Sequence, residues 1–110
     1  MLPKFVLSRH SGLLQQFHWV LKAPNGEVIL TSENYVSEAG ALNGIESVRR
    51  NCKSDSNYRR LVSVIGQPYF TLNAPENGQV IGTSQMYASE QAREIGIASV
   101  KKNGTTTIVV

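Results

Sequence analysis

The chain repeats itself. Gly26 to Asn51 reads GEVILTSENYVSEAGALNGIESVRRN, Gly78 to Asn103 reads GQVIGTSQMYASEQAREIGIASVKKN, and 13 of the 26 aligned positions are identical. The identities include Gly26/Gly78, Thr31/Thr83, Ser32/Ser84, Tyr35/Tyr87, Ser37/Ser89, Gly44/Gly96 and Asn51/Asn103. Upstream, Trp19-Val-Leu-Lys-Ala-Pro24 aligns with Phe70-Thr-Leu-Asn-Ala-Pro75, and the second copy carries one extra residue, Glu76. Identity at half the positions without low complexity marks a duplication, so any fold must use one supersecondary unit twice.

Each copy has the same grammar. Trp19 and Leu21 alternate with Val20 and Lys22, as Phe70 and Leu72 do with Thr71 and Asn73, which is the period of a half-buried strand. Pro24-Asn25-Gly26 and Pro75-Glu76-Asn77-Gly78 then supply hairpin turns, because Asn and Gly tolerate positive φ. Val28-Ile29-Leu30 and Val80-Ile81 return as strands. After them Ser37 and Ser89 are placed as N-caps, each followed by a glutamate suited to the positive end of a helix. Ala41, Leu42, Ile45 and Val48 form an apolar stripe, with Ala92, Ile97 and Val100 as its thinner counterpart. Arg49-Arg50 and Lys101-Lys102 suit the last turns, and Asn51 and Asn103-Gly104 suit left-handed caps. Each helix should span about 14 residues, close to the usual mean of roughly 11–12. Lys4–Ser8, residues 57–65 and the β-branched Thr105–Val110 read as further strands.

The expected order is β-β-β-α-β-β-β-α-β. This is an α+β fold in which two tandem β-β-β-α-β repeats form one mainly antiparallel sheet, with two helices on one face and a pseudo-twofold between the halves. Residues 1–110 read as a single domain of two repeats, about 4–56 and 57–110. One half alone would bury too little core to stand by itself. Mid-helix Gly44 and Gly96 cost about 1 kcal/mol each relative to Ala, so their recurrence predicts close backbone approach to the sheet or to the other helix.

Composition removes several classes. The 110 residues are 41% hydrophobic and 17% charged, which excludes a disordered tail. No apolar run nears the roughly 18 residues of a membrane-spanning helix, and the N-terminal stretch is too soon interrupted for a secretory signal. One cysteine, Cys52, and two scattered histidines build neither a disulfide nor a zinc cluster, so the expectation is a cytoplasmic protein with no cofactor and no metal.

Several groups are candidates for chemistry. Thr31-Ser32-x-x-Tyr35-x-Ser37 and Thr83-Ser84-x-x-Tyr87-x-Ser89 gather hydroxyls between a strand end and a helix N-terminus. Ser32, Tyr35, Ser37, Ser84, Tyr87 and Ser89 are therefore a candidate anion or ligand site, although turn formation and capping use the same residue types. Arg49, Arg50, Lys53, Arg59 and Arg60 are the densest positive stretch in a chain of net charge +3, and are candidate contacts for a polyanion such as nucleic acid. His18, alternating with Phe17 and Trp19, belongs on the open sheet face together with Tyr69. Cys52 lies among Arg49, Arg50 and Lys53, which favour a thiolate, but follows a helix C-terminus, which opposes one.

The paired pattern Ala-x-Asn-Gly-x-Val-Ile-x-Thr-Ser-x-x-Tyr…Gly-Ile-x-Ser-Val-x-x-Asn resembles the YegP-like family of small bacterial proteins, over roughly Lys4 to Thr107. Pro24, Pro75 and the extra Glu76 are the departures. The resemblance implies tandem units forming one sheet with C-terminal strands exchanged between them, and it implies no catalytic or binding residues. The identities fall on turn, cap and core positions rather than on acid–base groups. The chain thus reads as a non-enzymatic structural or interaction module, monomeric because the duplication supplies its own pairing. The alternative is polyanion binding through the open sheet face and the basic stretch. An enzyme built on the Ser/Thr/Tyr clusters comes last, since no base or metal accompanies them.

Overall fold

The computed structural model describes residues 1–110. Two three-stranded meanders follow one another: β1 (Lys4–His10), β2 (Gln16–Lys22) and β3 (Val28–Ser32), then β4 (Tyr58–Val62), β5 (Pro68–Asn73) and β6 (Val80–Thr83). A helix closes each one, α1 (Glu38–Asn51) and α2 (Glu90–Asn103), and a single 3-10 turn, Asp55–Asn57, precedes β4. The six strands form one antiparallel sheet in the order β1-β2-β3-β6-β5-β4. At the central seam Thr31 lies opposite Thr83, its own repeat counterpart. A residue facing its equivalent across two antiparallel strands marks a pseudo-twofold axis running through the sheet between β3 and β6.

Local chemistry explains the turns. Pro24 presets φ at the first turn position, Gly26 takes φ 85°, and Ala23 exchanges backbone hydrogen bonds with Gly26 and Glu27. Glu76 lengthens the second turn by one residue, so Gly78 donates to Ala74 over one more residue at φ 73°. Ser37 Oγ accepts from Gly40 N–H at 3.0 Å and Ser89 Oγ from Ala92 N–H at 3.1 Å, so both expected N-caps form. The left-handed C-caps do not. Cys52 and Gly104 keep right-handed φ of −69° and −68°, and their N–H groups still bond to the carbonyls of Val48 and Val100. Asn51 and Asn103 stay inside the helices, where their side chains donate to Ser47 and Ser99.

One cluster of 19 buried residues forms the core, joining the inward residues of the strands (Phe5, Trp19, Leu21, Leu30, Phe70, Leu72) to Ala41, Ile45 and Val48 of α1 and Ile97 and Val100 of α2. Both helices therefore cover the same sheet face. Within the expected stripe of α1, Leu42 is exposed and Gly44 is the residue that faces inward. Across the opposite, open face runs a registered row of Val6, Val20, Thr31, Thr83, Thr71 and Arg59.

Thr105–Val110 does not form the expected seventh strand. Only Val109 bridges Phe5, in parallel. Three backbone bonds hold the segment beside β1: Phe5 N–H to the Ile108 carbonyl, Leu7 N–H to the Val110 carbonyl, and Val110 N–H to the Phe5 carbonyl, at 2.8–2.9 Å. Phe5 and Leu7 turn these polar groups away from β2, as Arg9 does by the same alternation, and the segment engages only the first two.

Near the axis the two copies part. A Cβ on Gly82 would lie 2.7 Å from Leu30 Cγ, and a Cβ on Gly104 would lie 2.8 Å from Cys52 Sγ. Leu30/Gly82 and Cys52/Gly104 are repeat counterparts that touch each other. Space on the axis admits one side chain from each pair, and the duplicated sequence supplies one.

Candidate functional site

The pseudo-twofold generates two clefts. In each, the β-hairpin turn of one half faces the tyrosine and helix of the other. The first, about 410 Å³, lies between Ala23, Asn25, Glu27 and Ile29 of the β2–β3 hairpin and Gln85–Ala88, Ala92, Ile95, Gly96 and Ser99 of the second half. The second, about 220 Å³, sets Ala74, Asn77, Gln79 and Ile81 of the β5–β6 hairpin against Tyr35, Gly40, Asn43, Gly44 and Ser47. Nine lining positions of one are the repeat counterparts of nine in the other. The sequence does not show this site as a whole because its two walls come from different copies; the Asn-Gly turns, Gly44/Gly96 and Tyr35/Tyr87 are its visible signals.

The linings differ where the copies differ. Ile95 stands in the wide cleft where Asn43 stands in its twin, and Ala92 replaces Gly40. Met86 and Ala88 add apolar surface, while Asn25, Glu27, Gln85 and Ser99 provide polar groups. Asn25 Oδ1 is held by Glu27 N–H at 2.9 Å, and Gln85 Nε2 donates to Glu27 Oε1 across the cleft at 2.5 Å. A shallow groove continues past Ile95 to Lys102 and Asn103.

At the floor of each cleft sits a tyrosine against a helical glycine. A side chain at Gly96 would overlap the Tyr87 hydroxyl, and one at Gly44 the Tyr35 hydroxyl. The expected close approach is real: each glycine abuts its tyrosine and, on the sheet, Trp19 for Gly44 and Phe70 for Gly96, while neither meets the other helix. Burial raises the pKa of both phenols, and Tyr87 Oη is closed off from water without a hydrogen-bond partner.

The hydroxyls singled out from the sequence have defined positions. Ser32 Oγ accepts from Trp19 N–H and donates to the Glu33 carbonyl; Ser84 Oγ accepts from Phe70 N–H and donates to the Gln85 carbonyl. Each serine thus stitches the strand end to its neighbour, while Ser37 and Ser89 cap helices. Of the six, Tyr35 and Tyr87 line the clefts.

The basic residues do not assemble into one surface. Arg59 and Arg60 are adjacent on β4 and so point to opposite faces of the sheet. Arg60 is clamped by Asp55 at 3.0 Å and Glu94 at 2.8 Å. Arg49 pairs with Glu46, donates to the Thr106 carbonyl and lies over the Phe5 ring. Arg50 and Lys53 are exposed around the end of α1. His10 and His18 stack on the open face with ring nitrogens 2.6 Å apart, remote from the clefts. Cys52 is fully buried, and desolvation raises its thiol pKa.

Fold and clefts define a class: a tandem-duplicated α+β protein with one continuous six-stranded sheet and paired inter-repeat clefts. Residues 15–58 and 64–110 each match the family described as a domain of unknown function (DUF1508), so the chain belongs to that family and carries its unit twice. A UPF0339 protein of Acinetobacter baylyi is 60% identical over 94 residues, covering 86% of this chain and 84% of its own. UPF0339 protein YegP of Escherichia coli K12 is 52% identical over 105 residues, covering 96% and 93%. Among solved structures, the solution NMR structures of UPF0339 protein SO3888 from Shewanella oneidensis and of YegP from E. coli each superpose with a TM-score of 0.89 at 51% identity. They cover 99% of this chain and 90% and 91% of theirs. The resemblance read from the paired motif is thereby established, and none of these relatives' names carries an activity. No helix is long and apolar enough to cross a membrane.

Proposed function

We propose that the chain is a non-enzymatic binding module, acting as a monomer in the cytoplasm, whose wider cleft seats a small amphiphilic molecule. The observation that carries this reading is the unequal fate of two equivalent clefts: one is narrow and polar, and the other has gained Ile95, Ala92, Ala88 and Met86 around a few polar groups. A concave apolar lining with a few convergent polar groups is the usual form of a small-molecule site, and about 410 Å³ falls in the normal range of roughly 300–1,000 Å³. Glu27 and the carbonyl of Gln85's amide offer acceptors, so the ligand's head group carries donors. The buried, desolvated thiol of Cys52 suits a reducing compartment. Serine hydroxyls already engaged in capping and strand-end bonds leave the clefts without an activated nucleophile, which supports binding over turnover.

NMR screening of a library of small amines with apolar bodies tests the reading. Amide shifts should concentrate at Asn25, Gln85–Ala88 and Ile95, stay absent from the Asn43/Asn77 cleft, and weaken at least tenfold in Ile95→Asn, which copies the twin. Shifts spread equally over both clefts, or unaffected by Ile95→Asn, would refute it.

A further inference from the structure

The two outer edges of the sheet are equivalent by the pseudo-twofold, yet only one is covered. Phe5 pairs with Leu21 and Tyr58 with Leu72, and Leu21 and Leu72 are repeat counterparts, so Phe5 and Leu7 of β1 correspond to Tyr58 and Arg60 of β4. On β1 the outward backbone groups of Phe5 and Leu7 are taken by Ile108 and Val110. On β4 the corresponding groups lie at Tyr58, Arg60 and Val62, because Arg59 and Leu61 turn theirs toward β5 in register with Thr71 and Tyr69. Tyr58 N–H is bonded to the Asp55 carbonyl inside the 3-10 turn. The Tyr58 carbonyl and the N–H and C=O of Arg60 and Val62 face outward with no strand beside them. The asymmetry has a covalent origin. The chain leaving α2 runs along β1, whereas the chain leaving α1 crosses to the second half and becomes β4 itself.

We propose that the edge of β4 is a docking site for an extended, β-branched segment of another polypeptide, laid parallel to β4 as Ile108–Val110 lies beside β1. The occupant's chemistry follows from the covered edge, where a run of threonine, isoleucine and valine fits. The surroundings agree. Arg60's charge is neutralised by Asp55 and Glu94, and Val62, Val64 and Ile65 present exposed apolar surface at the end of the strand. No proline or bulge interrupts β4, and Arg59 is the one exposed, unpaired charge on it. Strand addition gains affinity from main-chain bonds and selectivity from alternate side chains.

Titrating the isotope-labelled full chain with the peptide N-acetyl-Thr-Thr-Thr-Ile-Val-Val tests the proposal by NMR. Saturable shifts are expected at the Arg60 and Val62 amides, with Phe5 and Leu7 unmoved. Val62→Pro deletes one outward donor without touching the β4–β5 ladder and should weaken binding about tenfold. Val62→Lys, which leaves the backbone intact, gives the same readout should the proline variant fail to fold. Three results would each overturn the proposal: no shift at Arg60 or Val62 at millimolar peptide; shifts confined to Phe5 and Leu7, meaning the peptide only displaces the chain's own tail; or a sedimenting dimer, abolished by Val62→Lys, that makes a second copy the occupant.

Discussion

Gly82→Leu and Leu30→Gly should each damage the protein, and together they should repair it. Leu30 is fully buried and lies across the β3–β6 seam from Gly82. A Cβ at position 82 would sit 2.7, 2.9 and 3.2 Å from Leu30 Cγ, Cδ2 and Cδ1, against the roughly 3.5–4.0 Å at which carbon atoms pack best. Overlap of that size with a side chain that has no room to retreat costs about 1–3 kcal/mol, and a leucine at 82 lies at the upper end of this range or beyond it. Leu30→Gly instead opens a cavity on the axis, at about 2–5 kcal/mol for the lost side chain plus a few tenths to about 1 kcal/mol for glycine's backbone freedom. The pseudo-twofold places a leucine at 82 into the space vacated by Leu30, so the double variant Leu30→Gly/Gly82→Leu should recover at least about 2 kcal/mol relative to the sum of the singles. Urea unfolding followed by the fluorescence of Trp19, the single tryptophan, measures all four corners of the cycle. Effects that add to within about 0.5 kcal/mol would show that the two positions do not share one space, and the symmetry argument would fail.

Two further outcomes follow from the ionic and thiol chemistry. Lys101 and Arg60 hold the Asp55 carboxyl down at about 2, below the roughly 3.9 of an unfolded aspartate. The stability it lends is present above about pH 4 and lost as pH falls toward 2, so urea midpoints of wild type and Asp55→Asn should differ at pH 6 and converge near pH 2, the gap at pH 6 shrinking in 1 M salt; parallel curves would refute the assignment. Cys52, buried against Gly104 with a raised pKa, should resist a disulfide reagent at pH 7 and react at once in urea, and rapid reaction of the native chain would contradict the packing.

Much of the architecture was legible because local rules and the repeat point the same way. Alternation in Trp19–Lys22, Pro-Asn-Gly at 24–26 and a serine before each helix are short-range signals, and duplication lets each copy check the other. The helix C-termini misled because Asn51 and Asn103-Gly104 permit a left-handed cap without requiring one, and at both ends the chain keeps a right-handed conformation through Cys52 and Gly104. The basic stretch misled because sequence neighbours on a strand face opposite ways and because Arg60 finds its carboxylate on α2, 34 residues away. Of the candidate ligand site, Tyr35 and Tyr87 were visible, but not the walls opposite them.

The sequence by itself determined that one unit is used twice, that each unit is a meander closed by a capped helix of 14 residues, and where its turns fall. Propensity, turn chemistry and periodicity act over a few residues, and a repeat makes them unmistakable. Only the tertiary structure decided what happens where the copies meet: one side chain each from the Leu30/Gly82 and Cys52/Gly104 pairs, clefts with one wall from each half, and one sheet edge covered while its twin stays open. Those features are set by excluded volume and by where the chain runs after each helix, and neither is written in any single window of residues.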